Sequence, residues 1–244
     1  MIKEENKVDI SEVKKLYDEM ETIWPESDLW HTYTHNFIKK YLKRELFNLK
    51  PTCETKILNA GSAGNTYNVM GEHYHVDISY NRISHLKNSV EASIEALPHQ
   101  SNFFDGCICM GSVINYCDAI QSIFEFSRVL KSGAFLVIDF EQSRSFQFLF
   151  SKEFNKKATI INTFNSGEID KLWVYSPNYI FSILNEAGFV VKRKEFFHIL
   201  SPFVYKITKN ENKASYFSKL DKFAKYIPLL KKCSCNVIIT CQKV

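Results

Sequence analysis

From Lys56 onward the chain alternates short apolar runs with amphipathic or polar stretches. The apolar runs predict strands near 56–60, 73–77, 88–93, 104–110 and 133–140, with helices near 64–71, 79–87 and 119–131 between them. Strand and helix in that alternation imply a parallel sheet with right-handed crossovers. A further helix is marked by Ser176 as cap, Pro177 at its first position and Gly188 just past its end. Strands at Phe189–Phe197 and Asn236–Cys241 follow.

Two helices precede this pattern. Asp9 can cap the first, with Glu12 placed to complete a capping box, and Val13, Leu16 and Met20 give it one apolar face. Trp24-Pro25 breaks it. Ser27 or Asp28 can start the second, from about Leu29 to Leu49, where Trp30, Phe37, Tyr41, Leu42 and Leu46 form a stripe. We expect one α/β domain over 51–244, an N-terminal helical lid over 1–50, and insertions at 141–175 and 201–232.

Composition narrows the class. The chain has 244 residues, 45% apolar and 24% charged, ordinary values for a folded globule. A net charge of +4 is too weak to argue for nucleic acid, and no stable nucleic-acid partner is expected. No run of eighteen apolar residues suggests a membrane span, and MIKEENKVDI lacks the apolar core of a secretory signal. The seven scattered cysteines suit reduced thiols in a cytoplasm. Cys233-Ser-Cys235 lacks a second Cys/His pair, so no metal site is expected.

The chemistry gathers in KILNAGSAGNTYNVMGEHYHVD, residues 56–77. A strand, a small-residue turn beginning at Gly61, and a second strand closing on Asp77 suit a nucleoside at the carboxyl edge of a sheet. The backbone can approach a ligand at the glycine, and the carboxylate can hold ribose hydroxyls. A plain turn and a helix-capping Asp77 account for the same residues separately.

The ordered set ILNAGSAGN, HVDIS, SIEALPHQSNFFDG and RVLKSGAFLVID resembles the class I S-adenosylmethionine-dependent methyltransferases, over about Lys56 to Leu200. The resemblance implies a Rossmann-like sheet, mostly parallel with an antiparallel last strand. It implies S-adenosyl-L-methionine as cofactor. Gly61, with Ser62 and Ala63, would lie against its methionine end, and Asp77 would hold the ribose. Ile78 and Ile94 would pack on the adenine. Met110 and Gly111 would lie beside the methionine part. Asn59 stands where the family usually has an acid, Ala63 and Asn65 replace turn glycines, and Ser93 replaces an acid at the adenine amino group. Serine still accepts a hydrogen bond there.

Methyl transfer needs a positioned nucleophile and a proton acceptor. His31 and His35, one helical turn apart, are the first candidates, with His35 slightly preferred; Tyr116 and Glu141 lie at the same sheet edge. Packing histidines on a helix surface are the alternative. The aromatic insertion (Phe146, Phe148, Phe150, Phe154, Phe164, Trp173, Tyr175) suits either an acceptor wall or a satellite core. The basic stretch 213–232, with Tyr216, Phe217, Leu220, Phe223 and Ile227, suits weak contact with a membrane surface or packing on its own domain. The expected activity is methyl transfer to oxygen or nitrogen of a small molecule. An RNA methyltransferase and a binding protein without turnover are the rival readings.

Overall fold

The computed structural model describes residues 8–165 and 168–244, without the side chains at 164, 165, 168 and 169. The Phe164 side chain and residues 1–7, 166 and 167 therefore lie outside what is described. Asp9 caps helix α1 (Ile10–Glu19) by accepting from the Ser11 amide. Asp28 caps α2 (Leu29–Leu49), accepting from the Trp30 and His31 amides at 3.0 Å each.

The strands are β1 (Lys56–Ala60), β2 (Glu72–Asp77), β3 (Ser89–Glu91), β4 (Phe104–Cys109) and β5 (Leu130–Glu141). A hairpin of β6 (Ala158–Asn165) and β7 (Glu168–Tyr175) stands apart, and β8 (Phe189–Phe197) and β9 (Asn236–Lys243) return to the sheet. The seven-stranded sheet has the order β3-β2-β1-β4-β5-β9-β8. β9 runs antiparallel to both of its neighbours, and the rest of the sheet is parallel. The strand order reverses between β1 and β4, which opens a crevice at the carboxyl ends of those strands.

Burial explains the layers. Helices α4 (Ala119–Val129) and α5 (Pro177–Glu186) press Ile123, Phe126, Ile180 and Leu184 onto Leu58, Leu136, Ile138 and Val237. On the other face Ile38, Tyr41, Leu42 and Leu46 of α2 cover Ile57, Ile108, Phe135, Val137 and Ile238. Thus α2 forms half of the sheet's cover, and α1, the segment after it and the first turns of α2 line the cavity at the carboxyl edge. Cys107 and Cys109 fill buried places in β4, and all seven thiols are free.

Three expected helices come out differently. Residues 64–71 form turns, with positive φ at Tyr67 and Asn68, because the Asn65 side chain accepts from the Tyr67 amide. The helix expected over 79–87 shrinks to α3 (Tyr80–Ile83), where Arg82 leaves the local structure to bond the Tyr17 carbonyl of α1. The basic stretch breaks into short turns after α6 (Ser201–Thr208): α7 (Glu211–Ser215), a 3-10 turn at Tyr216–Leu220, α8 (Asp221–Ala224) and α9 (Pro228–Lys231). Asp221 is drawn inward by the Ile199 and Leu200 amides. Tyr216, Phe223, Tyr226 and Leu229 stay more than half exposed, so this stripe faces solvent. Among the described residues no helix is long and apolar enough to cross a membrane.

Candidate active site

The turn after β1 is fixed by backbone geometry. Gly61 has φ +67° and donates to the Val76 carbonyl at 2.7 Å. A Cβ there would lie 2.4 Å from Cγ1 of Val113, so the turn and the segment after β4 approach too closely for a side chain. Asp77 accepts from the Ala63 amide at 2.7 Å and the Ser79 amide at 2.9 Å. It therefore clamps the turn and caps the next segment. Burial pushes its carboxyl up, against those amides.

Asn59 does a related job behind the wall. Its Nδ2 donates to the Asn65 carbonyl at 2.7 Å, and its buried Oδ1 has no partner. After β4, Asp139 accepts from the Gly111 and Ser112 amides at 2.7 and 3.1 Å, holding a turn with positive φ at both. Burial pushes Asp139 up to about 6, against those same amides. The open side of Gly111 faces the cavity: an added Cβ meets nothing nearer than the Trp24 ring at 3.7 Å.

These turns wall a single cavity. Gly61, Ser62 and Ala63 line it from β1, Asp77 and Ile78 from β2, Ala92, Ser93 and Ile94 from β3, and Met110 to Val113 from β4. Its roof is Val13, Tyr17, Met20 and Trp24. Ser79 Oγ donates to Asp18 at 2.5 Å, and Lys14 pairs with Glu91, so α1 is latched to the ends of β2 and β3. The apolar slot of Ile78, Ala92, Ile94 and Val113, with a carboxylate beside it and glycine turns opposite, has the chemistry of a nucleoside site.

The cavity continues into a second chamber lined by Trp30, His31, Tyr116, Glu141, Asp170, Leu172, Tyr205 and Glu211. His31 Nδ1 lies 2.5 Å from Asp28 Oδ2. Burial disfavours the charged imidazole, but the Asp28 carboxylate outweighs it and the His31 pKa rises. His35 takes no part in this lining. It stacks on Trp24 at 4.8 Å and meets the Asn65 amide at 3.1 Å, so it supports the turn from outside. Burial and then Lys39 lower its pKa. Tyr116 donates to Asp170 at 2.6 Å and packs edge-on against Tyr17, which joins α1 to β7 over the chamber. Burial, opposed by His31 and reinforced by Asp139, pushes Glu141 up to about 7.

Of the two alternatives for the aromatic insertion, Trp173 and Tyr175 take the packing one. Trp173 and Tyr175 of the insertion pack on the sheet core, and Phe150 is 95% exposed. The rings at the chamber come from Tyr17, Trp30, Tyr116 and Tyr205. Trp30 is held by His198, stacked at 3.8 Å. Asp28, Asp170, Glu211 and Asn236 were not singled out from sequence. Only Asp28 carried a signal, as a helix cap beside His31; the others meet through long-range packing.

Fold and cavity together are those of a Rossmann-like sheet with a slot at the β1/β4 crevice. Residues 58–138 match the family described as a methyltransferase domain. That stretch runs from β1 into β5 and carries the Gly61 turn, Asp77 and the β4 edge, in keeping with the resemblance to the class I S-adenosylmethionine-dependent methyltransferases. No curated protein matches by sequence. Among solved structures, the chain is similar to the geranyl diphosphate C-methyltransferase of Streptomyces coelicolor A3(2), bound to Mg2+, geranyl diphosphate and S-adenosyl-L-homocysteine. That likeness has TM-score 0.61 and 12% identity, over 96% of this chain and 97% of that one. It is also similar to the 1,6-didemethyltoxoflavin-N1-methyltransferase of Burkholderia thailandensis (TM-score 0.57, 11% identity, 96% and 86% covered). A third likeness is to the [4+2]-cyclase SpnF (TM-score 0.56, 14% identity, 84% and 80% covered). At such identities these structures share the fold.

Proposed function

We propose that the protein transfers a methyl group from S-adenosyl-L-methionine to an oxygen or nitrogen of a small molecule. The observation that carries this reading is the joining of two chambers: a nucleoside-shaped slot opens directly onto the Asp28–His31 pair. Gly61, Ser62, Ala63, Met110 and Gly111 would hold the methionine end, and Asp77 the ribose hydroxyls. Ile78, Ala92 and Ile94 would enclose the adenine, with Ser93 at its amino edge. The cofactor supplies a methyl group on an activated sulfonium leaving group.

The chain's own residues then have three tasks. α1 excludes water and closes the site as a lid. Trp30, Tyr116 and Tyr205 orient the acceptor. His31, held in place by Asp28, takes the acceptor's proton. His31 replaces His35 as our preferred base, because it is the one that reaches the cavity. Seven unpaired thiols suit a reducing cytoplasm.

Calorimetry with S-adenosylhomocysteine tests the cofactor half. Asp77→Ala should weaken binding tenfold or more, since a charge-assisted hydrogen bond contributes about 1.5–3 kcal/mol. Wild-type protein that binds neither S-adenosylmethionine nor its product would sink the reading. Binding without turnover is the second reading, favoured by Asn59 in the first strand. Transfer of labelled methyl into a metabolite extract separates the two.

A further inference from the structure

The acceptor chamber is one-sided in charge. Glu141, Asp170 and Glu211 line it, with Asp28 just beyond on the far side of His31. No lysine or arginine lines either chamber among the described residues. Those residues also include no group of three or more His, Cys, Asp or Glu placed to hold a metal ion. Among the side chains lining the chamber, His31 is the one basic group that faces Glu141 and Glu211.

A separate observation points the same way. Asn236, 3% exposed, lines the cavity, and its buried Oδ1 has no hydrogen-bond partner. Its orientation is set from behind. Ser112 Oγ donates to Asp139 at 3.4 Å, so it accepts from Asn236 Nδ2 at 3.3 Å, and the amide oxygen is left over. A buried acceptor without a donor is destabilising, and a ligand N–H removes that cost. The Glu141 carboxylate is met by the Cys235 thiol at 3.9 Å, a weak contact that leaves acceptor capacity. Trp30, Tyr116 and Tyr205 supply π faces, which attract cations.

We propose that the methyl acceptor is a cationic amine, bound as its ammonium between Glu141, Asn236 and the aromatic rings. This rests on the methyltransferase reading and names its substrate class. The ammonium, held by the Glu141 carboxylate, gives one proton to the His31 imidazole. The freed lone pair forms the N–C bond to the methyl carbon while the sulfonium C–S bond breaks onto sulfur. The products are an N-methylated ammonium and a neutral thioether.

Three probes of one shape test this: phenethylamine, 2-phenylethanol and phenylacetate. Each is titrated calorimetrically into the full chain, with and without saturating S-adenosylhomocysteine. The amine should bind at least tenfold more tightly than the alcohol, and the acid should bind least. Glu141→Gln should weaken the amine about tenfold and leave S-adenosylhomocysteine affinity within twofold. Asp170→Asn serves as the second variant, with a smaller loss of the same selectivity. Equal or tighter binding of the acid or alcohol overturns the proposal, as does failure of all three to bind at about 10 mM. A Glu141→Gln variant that loses S-adenosylhomocysteine in step would assign the carboxylate to the cofactor's own ammonium and also overturn it. Failure of S-adenosylhomocysteine to bind the wild type strikes the methyltransferase reading instead, and the titrations without it still report the charge preference.

Discussion

Replacing Gly61 by alanine probes the contact on which the nucleoside turn depends. The added methyl meets two obstacles. Alanine at φ +67° costs about 1–2 kcal/mol of backbone strain. The Cβ would also sit 2.4 Å from Val113 Cγ1 and 2.8 Å from Cγ2, an overpacking that costs about 1–3 kcal/mol. Together the loss is about 2–5 kcal/mol, which in a chain of this size lowers the melting temperature by roughly 5–15 °C. Val113→Ala removes both clashing carbons and leaves its own Cβ at 3.1 Å. Alone it should cost about 1–2 kcal/mol for a half-buried valine. In the double variant the steric part should vanish while the backbone strain remains. The coupling energy is then about 1–3 kcal/mol in favour of the pair, measurable by urea unfolding of the four proteins. Strictly additive losses would show that the turn moves aside, and that the close approach does not fix Gly61.

Other outcomes are as direct. On an identified acceptor, His31→Ala should lower turnover about a hundredfold and remove the acid limb of the pH profile. His35→Ala should instead weaken S-adenosylhomocysteine, because it supports Asn65; the reverse pattern would restore His35 as the base. Glu141, raised to about 7, takes up a proton in the folded state that the unfolded chain releases near 4.5, so its contribution falls as pH rises through that window. Glu141→Gln should accordingly be more stable than wild type at pH 8, by about 1–2 kcal/mol after allowing for cavity water, and no more stable at pH 4.5. Equal stability at both pH values refutes the burial argument. Segment 201–232 carries eight lysines against two acids, and Lys219, Lys222 and Lys225 lie over exposed Tyr216, Phe223 and Tyr226. Weak sedimentation with phosphatidylserine vesicles, lost in roughly half-molar salt, is expected; equal retention on phosphatidylcholine would discount the charge.

Periodicity and punctuation determined much of the fold. β1, β8, α2 and α5 fall where the apolar spacing, Asp28 and the Ser176-Pro177 cap place them, because those signals act within a few residues. Gly61, Asp77, Ile94 and Met110 likewise line one cavity, since each stands at the carboxyl end of a neighbouring strand. Where local preference was weak, tertiary contacts decided. Asn65 and Asp77 hold residues 61–71 in turns against a helical expectation, and Arg82 gives up a helix to hold α1. The second chamber was readable only in part, through His31, Tyr116 and Glu141. Asp28 and His31 share the start of α2, but Glu141, Asp170, Glu211 and Asn236 come from β5, β7, α7 and β9, and no spacing rule links those four. The choice between His31 and His35 was tertiary too. Both sit on one helical face, but the rotation of α2, fixed by burying Ile38, Tyr41 and Leu42, turns His31 to the cavity and His35 to Trp24. A helix repeat fixes which residues share a face, and only packing against the sheet fixes where that face points.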